Sequence, residues 1–176
     1  MSTRIYLIRH AETEPDDDDA TLWPLSQTGE QQVKQLAAQP FWDEVTAIVS
    51  STEMKAIATV QGIAFEHSIP LFTHDGLREL RRTPGLIDNY SERAQQVFEK
   101  PAISIGNWER AADAQARIMA CLDELIARFG QSPFAVVSHG MVLALLLAAL
   151  QDALGYTYEI WESLGFASVT LIERNS

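Results

Sequence analysis

The chain has 176 residues, and 24 acidic against 13 basic side chains give it a formal net charge of −11. A chain of this length buries roughly 70% of the surface that its unfolded form exposes, so one well-filled core is expected without disulfides or metals. The composition, 47% hydrophobic and 21% charged, excludes an intrinsically disordered or fibrous protein. We therefore expect a single domain over residues 1–176.

The acidic charge also limits the classes of partner. DNA, RNA and anionic lipids bind to basic surfaces that displace their counterions, so we expect neither a nucleic-acid nor a membrane partner. The most apolar run, at 141–150, is far shorter than the ~20 residues that span a bilayer, and the apolar run at 5–8 is too short for a secretory signal. These features favour a cytoplasmic protein and leave its oligomeric state open.

Short apolar runs at 5–8, 47–49 and 134–137 are typical of strands that are covered on both sides in a parallel sheet. Helical patterns follow each run, and Ser26 or Thr28 is positioned to cap the first helix. This alternation predicts an α/β fold, a three-layer sandwich with a mostly parallel central sheet flanked by helices on both faces.

The pattern weakens at about 81–108, which we interpret as a short cap excursion with a loop at 81–85 and a short helix at 90–100. A long amphipathic helix is predicted at 110–129, ending at Gly130. The last segment, 167–173, alternates as an edge or antiparallel strand does. The acidic run at 16–19 lacks the spacing of a calcium loop, so a solvated loop is predicted there.

Chemically active side chains follow three of the predicted strands. Arg9 and His10 come after the first, Lys55 lies shortly after the second, and His139 and Gly140 come after the third. In α/β sheets active groups gather beyond the carboxyl ends of the strands, where the N-termini of helices favour anions. The sequence therefore predicts one anion site in an otherwise acidic protein.

The same segments resemble the motifs of the histidine phosphatase superfamily, which includes cofactor-dependent phosphoglycerate mutases and many phosphomonoesterases. The resemblance covers nearly the whole chain, and Lys55 stands where the family pattern has an arginine. The matching segments are Leu-Ile-Arg-His at 7–10, Pro-Leu-Ser-Gln-Thr-Gly at 24–29, Ser-Ser-Thr-Glu-Met-Lys-Ala at 50–56, Leu-Arg-Glu at 77–79 and Val-Ser-His-Gly at 137–140.

The resemblance implies a metal-independent phosphomonoesterase without a cofactor, working through a phosphohistidine intermediate on His10. Glu79 would be the general acid that protonates the departing oxygen and then the general base that activates water. The expected phosphate-binding groups are Arg9, Lys55, His139 and the N–H groups around Gly140.

A small phosphorylated metabolite is the expected substrate. The chain stops at Ser176, soon after the last predicted strand, and this favours hydrolysis over mutase chemistry, which must shelter a phosphoenzyme from water. Three alternatives remain: a phosphohistidine or phosphoprotein phosphatase, a phosphotransferase of the phosphoglycerate mutase type, and a degenerate phosphate-binding protein without turnover, which Lys55 favours.

Overall fold

The computed structural model describes residues 2–15, 19–83 and 86–175. In these residues one sheet contains β1 (Ser2–Arg9), β2 (Ala47–Ser50), β3 (Leu71–Thr73), β4 (Phe134–Ser138) and β5 (Val169–Asn175). The helices are α1 (Gln27–Ala37), α2 (Met54–Glu66), α3 (Tyr90–Glu99), α4 (Ala111–Phe129), α5 (Gly140–Leu150) and α6 (Thr157–Ser163).

Two predicted loops fall partly outside the described residues. Of the acidic run at 16–19, only Asp19 is described; it is exposed, and its Oδ1 accepts a hydrogen bond from the Thr21 N–H at 3.0 Å. Residues 84 and 85 of the loop predicted at 81–85 are likewise not described.

The strand order is β3-β2-β4-β1-β5, with β5 antiparallel to β1 and every other pairing parallel. This confirms the predicted α/β fold with a mostly parallel sheet, and the antiparallel strand near the end of the chain. β3 and α6 are not predicted from the sequence, because three and seven residues are too few to produce a clear hydrophobic period.

Both faces of the sheet are covered. Successive side chains of a strand point to opposite faces of the sheet. In β1, Ile5 and Leu7 join a core cluster with residues of α3, α4 and α5. Tyr6 and Ile8 join a second cluster, on the other face, with residues of α1 and α2. Burial on both sides explains why the strands appear in the sequence as continuous apolar runs rather than alternating ones. The predicted three-layer sandwich is thus confirmed.

Two helix boundaries show how local sequence fixes the elements. Ser26, one of the two candidate caps, begins α1: its Oγ accepts a hydrogen bond from the Gly29 N–H at 3.0 Å. At the other end of the long helix α4, Gly130 adopts φ +60°, a left-handed conformation that glycine reaches without steric cost. Within the described residues no helix is long and apolar enough to cross a membrane.

We expect Gly29→Ala to destabilise the protein by about 2–3 kcal/mol, because a Cβ at this position would overlap the carbonyl oxygen of Glu12. Gly62→Ala is the matched control: Gly62 is exposed inside α2 with nothing within 4 Å of an added Cβ, so this change should stabilise by about 0.5–1 kcal/mol. Urea unfolding followed by circular dichroism measures both. A neutral Gly29→Ala would contradict the close approach of Glu12 to α1.

Candidate active site

His10 lies directly after β1, at the carboxyl edge of the sheet, and is 6% exposed. Its Nδ1 is 2.7 Å from the carbonyl oxygen of Ala11. Because a carbonyl oxygen only accepts, Nδ1 carries the hydrogen, and in the neutral ring Nε2 keeps its lone pair. The N–H of Ala11 in turn donates to Thr59 Oγ1 at 2.9 Å, which anchors the residue that orients the imidazole.

The surroundings of His10 favour the neutral ring. Burial holds its pKa well below the ordinary value of 6.5, and His139, Lys55 and Arg9 lower the pKa further through their charges. Only the hydrogen bond to Ala11 opposes this shift. A neutral imidazole in a fixed tautomer is the form that a nitrogen nucleophile requires.

His139 packs beside His10, with 5.1 Å between the ring centroids. It is fully buried, its Nε2 lies 2.8 Å from Ser51 Oγ, and among the described residues no partner reaches its Nδ1. Burial, then Lys55 and Arg117, lower its pKa well below the ordinary value. Its expected contact with phosphate stays a prediction.

The side chain of Glu79 lies at the N-terminus of α5. Its carboxylate accepts hydrogen bonds from the N–H groups of Leu80 at 2.9 Å, Met141 at 3.1 Å and Val142 at 3.2 Å. These bonds lower the pKa of Glu79, but burial raises it more, so that the net shift is upward. Burial therefore raises the pKa of the Glu79 carboxyl group without a bound phosphate. Two N–H groups next to Gly140, those of Met141 and Val142, thus donate to Glu79. The expected contact of Gly140 with phosphate stays a prediction.

Gly140 leaves room for the Arg9 side chain. A Cβ at Gly140 would lie 3.1 Å from Arg9 Cζ and 3.1 Å from the indole Nε1 of Trp161. The Arg9 guanidinium donates through Nη1 to the carbonyl of Leu164 and stacks 4.1 Å from the centroid of the Phe166 ring. The segment around α6 therefore orients Arg9. No motif in the sequence indicated that this segment contributes to the site.

Lys55 is buried and paired. Its Nζ donates to the carbonyl of Ala20 at 2.8 Å and lies 3.1 Å from Glu53 Oε2. The motif at 50–56 placed Lys55 in the site but gave no role to Glu53, because an acidic residue just before a helix is usually a solvated cap. The one available signal was its position two residues before a lysine that the motif places in the site.

A single cavity of about 160 Å³ brings most of the predicted residues together. Arg9, His10, Lys55 and Glu79 line it, together with the aromatic rings of Trp23, Tyr90, Trp161 and Phe166. A neighbouring cavity shares Lys55 and Glu79 and is also lined by Glu53 and Arg78. His139 and Gly140 lie next to residues of the first cavity but do not line it.

Buried donors without partners concentrate around these cavities. In the described part of the chain six buried side-chain polar atoms lack a hydrogen-bond partner, and four of them belong to residues in or beside the site: Arg9 Nε, Trp23 Nε1, Arg78 Nε and His139 Nδ1. Three of these atoms are N–H donors, of which Arg78 Nε has only an ion-pair contact, 3.9 Å from Glu53 Oε1, and the role of His139 Nδ1 depends on its tautomer. Buried donors without hydrogen bonds are costly, so their concentration at one place indicates a site built for an acceptor-rich ligand. The described residues contain no group of three His, Cys, Asp or Glu side chains that could hold a metal ion.

The two buried histidines should make stability depend on pH. Their pKa values are lower in the folded than in the unfolded chain, so their contribution is complete above about pH 6.5 and is lost as the pH falls towards the folded-state values. Between about pH 6.5 and 5, each histidine should lower the free energy of unfolding by at most about 1.4 kcal/mol for each pH unit of acidification. Urea unfolding of the wild type and His139→Asn tests this. Equal slopes would contradict it.

The family model described as histidine phosphatase superfamily (branch 1) matches residues 5–176. No curated protein sequence matches the chain significantly. Among solved structures, YhfR of Bacillus stearothermophilus is 25% identical with a TM-score of 0.79, and the match covers 98% of this chain and 92% of that one.

Two further structures share the fold. A mycobacterial glucosyl-3-phosphoglycerate phosphatase is 23% identical with a TM-score of 0.77, covering 96% of this chain and 90% of that one. A phosphoserine phosphatase of Entamoeba histolytica is 22% identical with a TM-score of 0.72, covering 96% and 89%. Because the family model spans nearly all of the chain, the resemblance found in the sequence is confirmed, and the protein belongs to branch 1 of the histidine phosphatase superfamily.

Proposed function

We propose that this protein is a metal-independent phosphomonoesterase that works through a phosphohistidine intermediate on His10. The observation that carries this proposal is the placement of His10: a buried imidazole with Nδ1 held by the carbonyl of Ala11 and its ring at the wall of a cavity that Arg9, Lys55 and Glu79 also line. Burial lowers the pKa of His10, which favours the neutral ring. Family membership supports phosphoryl-transfer chemistry at this place.

In the first step the lone pair of His10 Nε2 attacks phosphorus and forms the P–N bond. The ester P–O bond breaks, and its electron pair leaves with the alcohol oxygen. Glu79, whose raised pKa favours the acid form, donates its proton to that oxygen. The buried donors around the cavity would take the phosphoryl oxygens, whose charge spreads during transfer.

In the second step a water molecule attacks the phosphoryl group of the phosphohistidine. The Glu79 carboxylate removes the water proton, the P–N bond breaks, and its electron pair returns to His10 Nε2. The products are the alcohol and inorganic phosphate, and Glu79 again carries its proton. The mechanism therefore uses both the protonated and the ionised form of Glu79. This fits a carboxyl group whose pKa is raised by burial and lowered by backbone N–H groups.

A small phosphorylated metabolite is the substrate class that we propose. The cavity of about 160 Å³ suits a phosphoryl group with a compact leaving group, and its aromatic walls suit carbon atoms rather than a polyanionic chain. The glucosyl-3-phosphoglycerate and phosphoserine phosphatases that share the fold are, by their names, enzymes of small phosphate esters.

Hydrolysis of p-nitrophenyl phosphate between pH 5 and 8 in the presence of EDTA tests the proposal. We expect turnover that EDTA does not abolish and that His10→Ala lowers about a thousandfold or more, because the nucleophile is lost. His67→Ala, at a histidine outside the cavity, should retain the wild-type rate. Wild-type turnover no higher than that of His10→Ala would refute the proposal, and release of phosphate from a phosphohistidine protein alone would favour a protein substrate.

Glu79→Gln should separate the two roles of the carboxyl group. With an alkyl phosphate, which has a poor leaving group, we expect kcat to fall about 10²–10⁴-fold because the general acid is lost. With p-nitrophenyl phosphate the leaving group needs no proton, so hydrolysis of the phosphohistidine becomes limiting. Stopped-flow absorbance should then show a burst of p-nitrophenolate close to the enzyme concentration. Equal losses for both esters, without a burst, would exclude Glu79 as the acid.

A further inference from the structure

Glu53 is a buried carboxylate that lines the cavity next to that of His10, and the mechanism above does not use it. It immediately precedes α2 in an extended conformation, and its side chain makes no capping bond to that helix. It is 5% exposed, which is unusual for an acidic residue at a helix N-terminus. A buried carboxylate is costly unless it is paired and hydrogen-bonded, so its partners identify what it stabilises.

Each of its partners belongs to the site. Oε2 lies 3.1 Å from Lys55 Nζ, and Oε1 accepts the backbone N–H of Glu79 at 2.9 Å. Oε1 also lies 3.7 Å from His139 Nε2 and 3.9 Å from Arg78 Nε. One carboxylate therefore contacts the lysine expected to bind phosphate, the backbone of the general acid and the second histidine.

We propose that Glu53 is a positioning residue. It holds the Lys55 ammonium in place and partly offsets its positive charge, and it fixes the segment that carries the Glu79 carboxyl group. The inference rests on the proposed function and adds to it a residue that lies within the matching segment at 50–56 but to which the resemblance assigns no role. Glu53 and Lys55 act as a pair: the family pattern has an arginine at position 55, and here a lysine is held by a neighbouring carboxylate.

The first consequence concerns phosphate binding. Ala20 and Glu53 take two of the three donors of the Lys55 ammonium, which leaves one for a phosphoryl oxygen. The negative charge of Glu53 also offsets the attraction of Lys55 for a phosphate dianion. Glu53 therefore weakens the binding of inorganic phosphate, the product, while it keeps the ammonium in place.

The second consequence concerns the proton of Glu79. Among the described residues, the charged and titratable groups that act on Glu79 are Arg9 from β1, Glu53 and Lys55 at the start of α2 and Tyr90 from α3, with the N–H groups of Leu80 and of α5. His10 and Arg82 line the same cavity. Of these, the carboxylate of Glu53 raises the pKa of Glu79, after burial, whereas Lys55 and the N–H groups lower it. Glu53 thus extends the acid form of Glu79 to higher pH.

Glu53→Gln tests both consequences, because it keeps an acceptor oxygen for the Glu79 N–H and removes only the charge. By isothermal titration calorimetry we expect inorganic phosphate to bind about three- to tenfold more tightly. The second measurement is the pH profile of kcat/KM for p-nitrobenzyl phosphate, whose departing alkoxide must be protonated. We expect the basic limb of this profile to shift to lower pH by about half to one pH unit.

Glu109→Gln is the matched control. The Glu109 side chain is 5% exposed, lies 3.0 Å from Arg117 Nη2 and accepts the backbone N–H of Arg81 at 2.9 Å, so it resembles Glu53 in burial and partners but lies outside both cavities that contain Lys55. Its loss should lower the melting temperature without moving the phosphate affinity or the basic limb.

Glu53→Asp provides a second test that retains the charge. The basic limb should stay at the wild-type pH, while the shorter side chain loosens Lys55 and Glu79 and lowers kcat about three- to tenfold. If Glu53→Gln does not fold, this variant decides: a wild-type kcat would overturn the proposal.

For a folded Glu53→Gln, weaker phosphate binding, or a basic limb that moves no more than that of Glu109→Gln, would also overturn it. Failure of the proposed function has a different signature: wild-type turnover would not exceed that of His10→Ala. The phosphate titrations of Glu53→Gln and Glu109→Gln do not require turnover. They would still decide whether Glu53 offsets the attraction of Lys55 for phosphate.

Discussion

The parallel pairing of β1 with β4 is the constraint on which the rest of the site depends. Its register sets Arg9 opposite Ser138, and the His10 N–H donates to the Ser138 carbonyl at 3.0 Å. The residues that follow the two strands, His10 and His139, are thereby brought side by side. A shift of one residue would turn each side chain to the opposite face of the sheet, so the apolar packing that fixes the register also fixes the histidine pair.

Charge inside the site is positive although the chain as a whole is acidic, with a net charge of −11. The two cavities are lined by more basic than acidic side chains: Arg9, Lys55, Arg78, Arg81 and Arg82 against Asp19, Glu53 and Glu79. Buried donors that lack hydrogen-bond partners, such as Arg9 Nε, add to the attraction for an anion. Such donors gain most from a phosphoryl group whose charge is spread over several oxygens, which is the form that it takes during transfer.

Much of the fold could be predicted from the sequence because apolar runs and helix caps are local signals. The strands β1, β2 and β4 and the Ser26 cap follow from residues within a few positions of each other. The placement of Glu53 and the packing of Arg9 on Phe166 could not be predicted in this way, since they depend on contacts between distant segments. Gly140 shows the difference: its contact with phosphate follows from a local motif and stays a prediction, whereas the room that its missing side chain leaves for Arg9 and Trp161 depends on distant segments.

The segment at 164–168 has a consequence for the order in which the site can form during synthesis. Arg9 donates to the carbonyl of Leu164, the Arg9 N–H donates to Ser168 O at 3.1 Å, and the Ala167 N–H donates to His10 O at 3.2 Å. Residues at the beginning of the chain are therefore held by residues translated more than 150 positions later. A ribosome-bound chain that already contains all the motif residues would still lack the support of Arg9 and His10, and the site would be complete only after β5 has emerged and paired with β1.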